Sequence, residues 1–302
     1  MSFTSSDSTR SVQPRAASER FFDTAFKRLA LIAALAVAAA LLWITCIVAL
    51  RALPALSEFG LEFLVTSTWN PPRNAYGILP SMYGTVVSSV IALMISVPIG
   101  LGVAIFLSED YIPPGVQRIL VFLVELLAAV PSVVYGLWGI FVLIPFLKEI
   151  TPLRGPGMLP AALILAVMTL PIIAALARDA ISNVPIELRQ ASVGLGATRW
   201  ETIFRVIVPA ASSGIIGGIM LALGRALGET MAATMLIGNS TNNISLSVFA
   251  PSSTIAALLA NQFAEASGLQ VAALMYAALI LFAITLVVNI LAQVVIRRLQ
   301  RI

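Results

Sequence analysis

The chain has 302 residues, 59% hydrophobic and 11% charged, with a mean hydropathy of +0.99. Soluble domains carry about 25% charged residues, so the composition excludes an ordinary soluble protein and points to an integral membrane one. The net charge of +4 is no sign of nucleic-acid binding, because the basic residues are scattered beside apolar runs, where they orient a membrane protein.

In chain order, residues 1–28 form a polar tail rich in Ser, Arg and Ala, too poor in apolar residues at its start to fold. Residues 29–53 are the first span. It is too long for a signal-peptide core and no small-residue cleavage site follows, so it is expected to stay attached. Its Cys46 is the one cysteine, which rules out a disulfide framework within the chain and reads as a small packing residue. Histidine is absent, which removes the commonest proton relay and metal ligand, and no metal site is expected. The 54–79 loop carries "TSTWNPPRNAYG", whose turn formers and aromatics read as an external loop with interfacial anchors.

Five further apolar runs follow, at 80–108, 119–147, 159–180, 206–237 and 269–296. The fold class is therefore an all-α integral membrane protein with six transmembrane helices, and no inverted repeat relates its halves. Basic residues set the orientation. Arg10, Arg15, Arg20, Lys27 and Arg28 precede the first span, Arg118 lies between spans two and three, Arg178, Arg189, Arg199 and Arg205 between four and five, and Arg297, Arg298 and Arg301 at 297–302. The alternate loops hold only Arg51, Arg73, Lys148 and Arg154, so both termini are expected on the cytoplasmic side. Glu109 and Asp110 make the loop after span two the weak point of that assignment. In the 238–268 loop a short helix over about 252–266 is expected to lie on the membrane surface or to re-enter it.

Residues 183–205 are too polar to span. Asn183 as N-cap and Pro185 in the first turn open one helix, Gly194 and Gly196 break it, and a second helical stretch runs through Pro209 into span five. Here "QASVGLGATRWETIFRVIVP" resembles the coupling loop of ABC-importer permeases: Glu-Ala-Ala, three residues, Gly, nine residues, then Ile-x-Leu-Pro. Gln190, Ala191 and Ser192 take the place of Glu-Ala-Ala, Gly196 is the glycine followed by Ala197, and Pro209 closes the pattern. Gln190 stands where the family has its acid and Ser192 where it has an alanine; a Gln190 amide hydrogen bond is the available substitute for the acid's contact. The chain has no GxxxxGK[ST] phosphate cradle, so a loop of this kind would dock on a separate ATPase and move spans four and five with it.

Span five contains "GRALGET". An ion in hydrocarbon costs about 2.5–3.5 kcal/mol on insertion scales, so Arg225 and Glu229 call for a reason. Spaced four apart, they would share one helix face, beside a small-residue face of Gly214, Gly218, Gly224 and Gly228. Glu125 is a further acid within an apolar run, in span three, and Pro131 should break that helix and free carbonyls at mid-depth. Two readings fit: a structural ion pair that pins span five, with Glu125 in the same network, or a guanidinium station for an oxyanion.

"ALGRALGETMA" and "ELLAAVPSVVYGLWG" resemble the fifth and third spans of phosphate-importer permeases, and "WNPPRNAYGILPSMYGT" the external segment of their PstC type. The resemblance implies a type I ABC-importer (MetI-like) permease core over 80–296, with Arg225 and Glu229 on the substrate path; Glu125 is added from its burial cost. It implies a permease subunit rather than an enzyme, in the bacterial cytoplasmic membrane. ATP would be spent by a cytoplasmic ATPase dimer, alongside a PstA-type partner permease and an external phosphate-binding protein. This chain itself would hold no cofactor. A permease for sulfate, molybdate or phosphonate, and a proton-coupled secondary transporter, remain as alternatives.

Overall fold

The structure is a computed structural model that describes residues 17–109 and 111–299, with side chains over 24–109 and 111–294. The expected disordered start of the tail, Asp110 and the last three residues lie outside the described residues, as do the side chains of Arg20, Arg297 and Arg298.

Chain contacts divide the protein into Met1–Val48 and Ala49–Ile302. The described part of the first unit is helical and belongs to α1, Ala17–Phe59. At 1.5 Å per residue these 43 residues reach about 65 Å, twice the roughly 30 Å of a hydrocarbon core. The helix thus begins within the polar tail rather than at Leu29. Side chains 24–47 are exposed, Cys46 among them, so Cys46 is not the packing residue expected of it.

In the second unit, α1 ends at Gly60, whose φ of +52° closes the helix in the left-handed region. Then come α2, Glu62–Val65, and a hairpin of β1, Trp69–Asn70, and β2, Ala75–Tyr76, turned by Pro71–Arg73. The remaining helices are α3, Leu79–Ser108; α4, Pro114–Ala129; α5, Ser132–Trp138, continued by a π turn into α6, Ile144–Ile150; α7, Met158–Ser182; α8, Ile186–Gly194; and α9, Arg199–Thr202, continued by a π turn into α10, Val208–Ala210. They close with α11, Ser212–Gly228; α12, Met231–Leu236; α13, Ile255–Gln262; and α14, Leu269–Leu299. Among the described residues five helices are long and apolar enough to cross a membrane, and six spans result if α9–α10 with α11 counts as one bent span.

Small residues let the central pair, α3 and α7, approach closely. Gly100 of α3 leaves room for Ile173, and Ser96 meets the Thr169 hydroxyl at 3.0 Å. Gly214 and Gly218 do the same for α11 against Ala180 and Leu176 of α7. Gly224 and Gly228 face open space in this chain, so the expected small-residue face is a packing edge only over its first half.

Aromatics at the hairpin end do not anchor in an interface. Trp69 and Tyr76 are buried against each other, 5.0 Å apart, beside Phe63, which stacks on Tyr276 of α14 at 4.7 Å. The Trp69 indole donates to Gln262 of α13 at 2.6 Å, and its backbone N–H donates to Asn242 at 2.6 Å. Of the two expectations for the 252–266 segment, lying on the membrane surface or re-entering it, the first does not fit: Ile255, Ala257 and Leu258 of α13 are buried, and the Ile255 N–H donates to Thr85 of α3. Apolar faces of a loop and a short helix bury each other here instead of meeting lipid. Trp69→Phe should lose one hydrogen bond and part of a ring, at about 1–3 kcal/mol. Thermal unfolding in detergent checks this, and an unshifted midpoint would contradict the tie between hairpin and α13.

Candidate functional site

Two spans break inside the apolar region. Pro131 has no N–H to continue α4, and Val130 turns extended before α5 begins. The freed Leu127 carbonyl accepts the Tyr135 hydroxyl at 2.8 Å, so the expected break and its available carbonyl are both present, and the carbonyl is occupied. The second break was not expected. α11 ends at Gly228, Glu229 is extended at ψ 124°, and α12 starts at Met231. α12 packs on α5 and the π turn after it, where Gly136 of α5 admits Met235 and Gly139 of the turn admits Leu236.

This break separates the two charges that were expected on one face. Arg225 lies in the last turn of α11, exposed on a face shared with Gly217 and Leu221, while Ala222 and Ala226 face inward. Neither an ion pair nor a hydrogen bond engages it among the described residues. Its charge acts on the Tyr135 phenol of α5 across the intervening space. Glu229 is half-buried and accepts the Ala232 N–H of α12 at 3.3 Å. It therefore caps a helix instead of pairing with Arg225. Its carboxylate there satisfies an end N–H that would otherwise lack a partner.

Glu125 does not join them either. It is exposed on α4, and its ion-pair partner is Arg178 of α7 at 3.9 Å. Arg178 was read from sequence only as an orienting charge. Because Glu125 and Glu229 have separate partners, Glu125→Gln and Glu229→Gln should act additively on transport within about 0.5 kcal/mol in a double-mutant cycle. A larger coupling energy would mean one network.

At the opposite end, the coupling segment folds as helix, glycine turn and helix. Gly196 sits at φ +86°, a conformation L side chains seldom adopt. The expected N-cap differs: α7 runs on to Ser182, Asn183 donates to the Asp179 carbonyl as its C-cap, and Pro185 caps α8. Thr198 and Glu201 form a capping box that starts α9. Gln190 and Ala191 are exposed, Ala197 is half-buried and Pro209 is exposed. Ser192 is buried, and its hydroxyl lies 2.9 Å from that of Thr202, a bond between α8 and α9 that an alanine would not make. Arg189 pairs with Glu109 and donates to the Ile181 carbonyl at 2.9 Å. That pair puts the loop after α3 on the same side as α8 and neutralises Glu109, one of the two acids that had weakened the orientation argument. Leu195 is 90% exposed, and Trp200, stacked on Phe204 at 5.8 Å and tilted against Tyr111 at 6.3 Å, is still 59% exposed, which makes an apolar tip.

The second helical stretch does not run straight into span five. It bends by 69° at Ala211, which is packed with Ile207, Ile215, Ala177 and Ile181. The elbow is thus held in the same core as α7 and α11, so tip and spans can move together.

A family profile described as binding-protein-dependent transport system inner membrane component matches residues 96–301. The chain is 44% identical over 267 residues to the phosphate transport system permease protein PstC of Mesorhizobium japonicum, covering 82% of this chain and 81% of that one. It is 43% identical to the protein of that name from Pasteurella multocida, covering 82% and 83%. Among solved structures, a bacterial alginate ABC transporter matches with a TM-score of 0.63 at 16% identity, covering 92% of this chain and 97% of that one. The MetNI methionine ABC transporter matches with a TM-score of 0.54 at 18% identity, covering 72% and 92%. These two likenesses establish the fold.

Proposed function

The chain belongs to the binding-protein-dependent transport system inner membrane components, and we propose that it is the permease subunit through which an ATP-driven importer carries inorganic phosphate. It is a multi-pass protein of the inner membrane and one part of a larger transporter complex. The observation that carries the reading is Arg225, a guanidinium about 20 Å along α11 from Ser212, in the last turn before the α11–α12 break and without a partner among the described residues. Such a group matches a phosphate oxyanion by two parallel hydrogen bonds and stays charged at any physiological pH. Glu229, half-buried at the break four residues on, keeps the local field from becoming so positive that the anion is trapped, which conduction requires.

The 190–209 segment couples this path to ATP. Leu195, Trp200 and the exposed Gln190 dock on a cytoplasmic ATPase dimer, which spends the ATP; this chain binds no cofactor of its own. That end and both termini are cytoplasmic. A PstA-type second permease completes the path on the Arg225 face, and an external phosphate-binding protein delivers the ion at the hairpin end. The test is competition in reconstituted vesicles. Radiolabelled phosphate uptake should be insensitive to excess sulfate, molybdate or phosphonate. Full inhibition by one of them would reassign the substrate.

A further inference from the structure

Arg178 is the one half-buried arginine within α7, with 21% of its side chain exposed. Asp179 accepts from its Nε at 3.2 Å and its Nη2 at 2.7 Å. Glu125 of α4 stands at 3.9 Å, an ion pair beyond hydrogen-bond length, and both acids are 57% exposed. A guanidinium has five N–H donors, so this one keeps donors for an incoming oxyanion once Glu125 moves aside.

Its depth follows from helix packing. Gly214 of α11 faces Ala180 and Gly218 faces Leu176, so the two helices run antiparallel with Arg178 level with residue 216. Arg225 then lies about 13 Å farther along the axis, at 1.5 Å per residue. The last turns of α4 and its break lie between the two levels: Glu125 meets Arg178, and two residues on, Leu127 holds the Tyr135 hydroxyl, which lies within the field of Arg225. Resting on the phosphate reading above, we infer that Arg178 is a second anion-binding residue of the path, on the coupling side of Arg225, with Glu125 as its displaceable partner. A phosphate leaving Arg225 would meet a second cation before the membrane surface. The acids lower its hold on the anion, so that exit stays fast.

The test uses the complete importer in vesicles, with Arg225→Gln prepared alongside as a control. Arg178→Gln should cut ATP-dependent phosphate uptake by about tenfold or more, the loss of one charged hydrogen-bond contact, while ATPase co-purification is kept. The neutral double variant Glu125→Gln with Arg178→Gln should stay impaired, because the cation is still missing. A merely structural pair predicts the reverse: the double leaves no unpaired charge across α4 and α7, only the solvent-exposed Asp179, and recovers uptake, which would overturn the inference. Wild-type uptake by Arg178→Gln beside a dead Arg225→Gln would also overturn it while leaving the phosphate path intact. Normal uptake by Arg225→Gln would remove the path reading itself and the second residue with it.

Discussion

Arg225→Gln should abolish phosphate uptake, by about a hundredfold or more, while membrane level, subunit assembly and thermal midpoint stay at wild type. A bidentate, charge-assisted contact contributes about 1.5–3 kcal/mol or more, and glutamine keeps the length but neither the charge nor the fork. The stability half of the expectation rests on the geometry. Glu229 is bonded to α12 and Glu125 is paired with Arg178, so removing the guanidinium orphans no acid among the described residues. Arg225→Lys should fall between, since an ammonium is a point charge without the planar fork. Uptake and detergent unfolding, measured on one preparation, separate the two readings that sequence left open. A destabilised protein with uptake lost in proportion would restore the structural ion pair; full uptake would remove Arg225 from the path.

Gly196→Val should uncouple the transporter, lowering ATPase co-purification and stimulated hydrolysis by about tenfold. Nothing lies within 4 Å of a β-carbon built on Gly196, so crowding is not the cause. The backbone is: at φ +86° a β-branched residue is strained by about 1–3 kcal/mol, and the turn would open to relieve it. Opening would re-aim Leu195 and Trp200, the exposed tip on either side of the turn. Gly196→Asn is the control, because asparagine tolerates the left-handed region and should keep most of the coupling. If both variants couple normally, the turn does not set the docking geometry.

Which features were legible follows the range of the forces that set them. The α4–α5 break was readable because Pro131 acts through its own missing N–H. The α11–α12 break was not: Gly228 is tolerated inside membrane helices, and the spacing of Arg225 and Glu229 fits a helix. What bends the chain at Glu229 is α12 settling on Gly136 of α5 and Gly139 of the π turn after it, a contact far away in sequence. Trp69 and Tyr76 have the composition of interfacial anchors, and only the hairpin's closure on α13 and α14 turns them inward. Arg178 escaped for a different reason: at the end of a span it was fully explained as an orienting charge, so no partner was sought. The glycine turn of the coupling segment was legible because it is local, whereas the Ser192–Thr202 bond requires knowing that α8 and α9 fold against each other.

The most direct test of ATP-driven phosphate import is accumulation in vesicles that hold the whole complex, with binding protein supplied outside and nucleotide enclosed. Import by this path predicts concentrative uptake with ATP, none with a non-hydrolysable analogue, and no change when an ionophore collapses the proton gradient. Uptake driven by a proton gradient without ATP would contradict it.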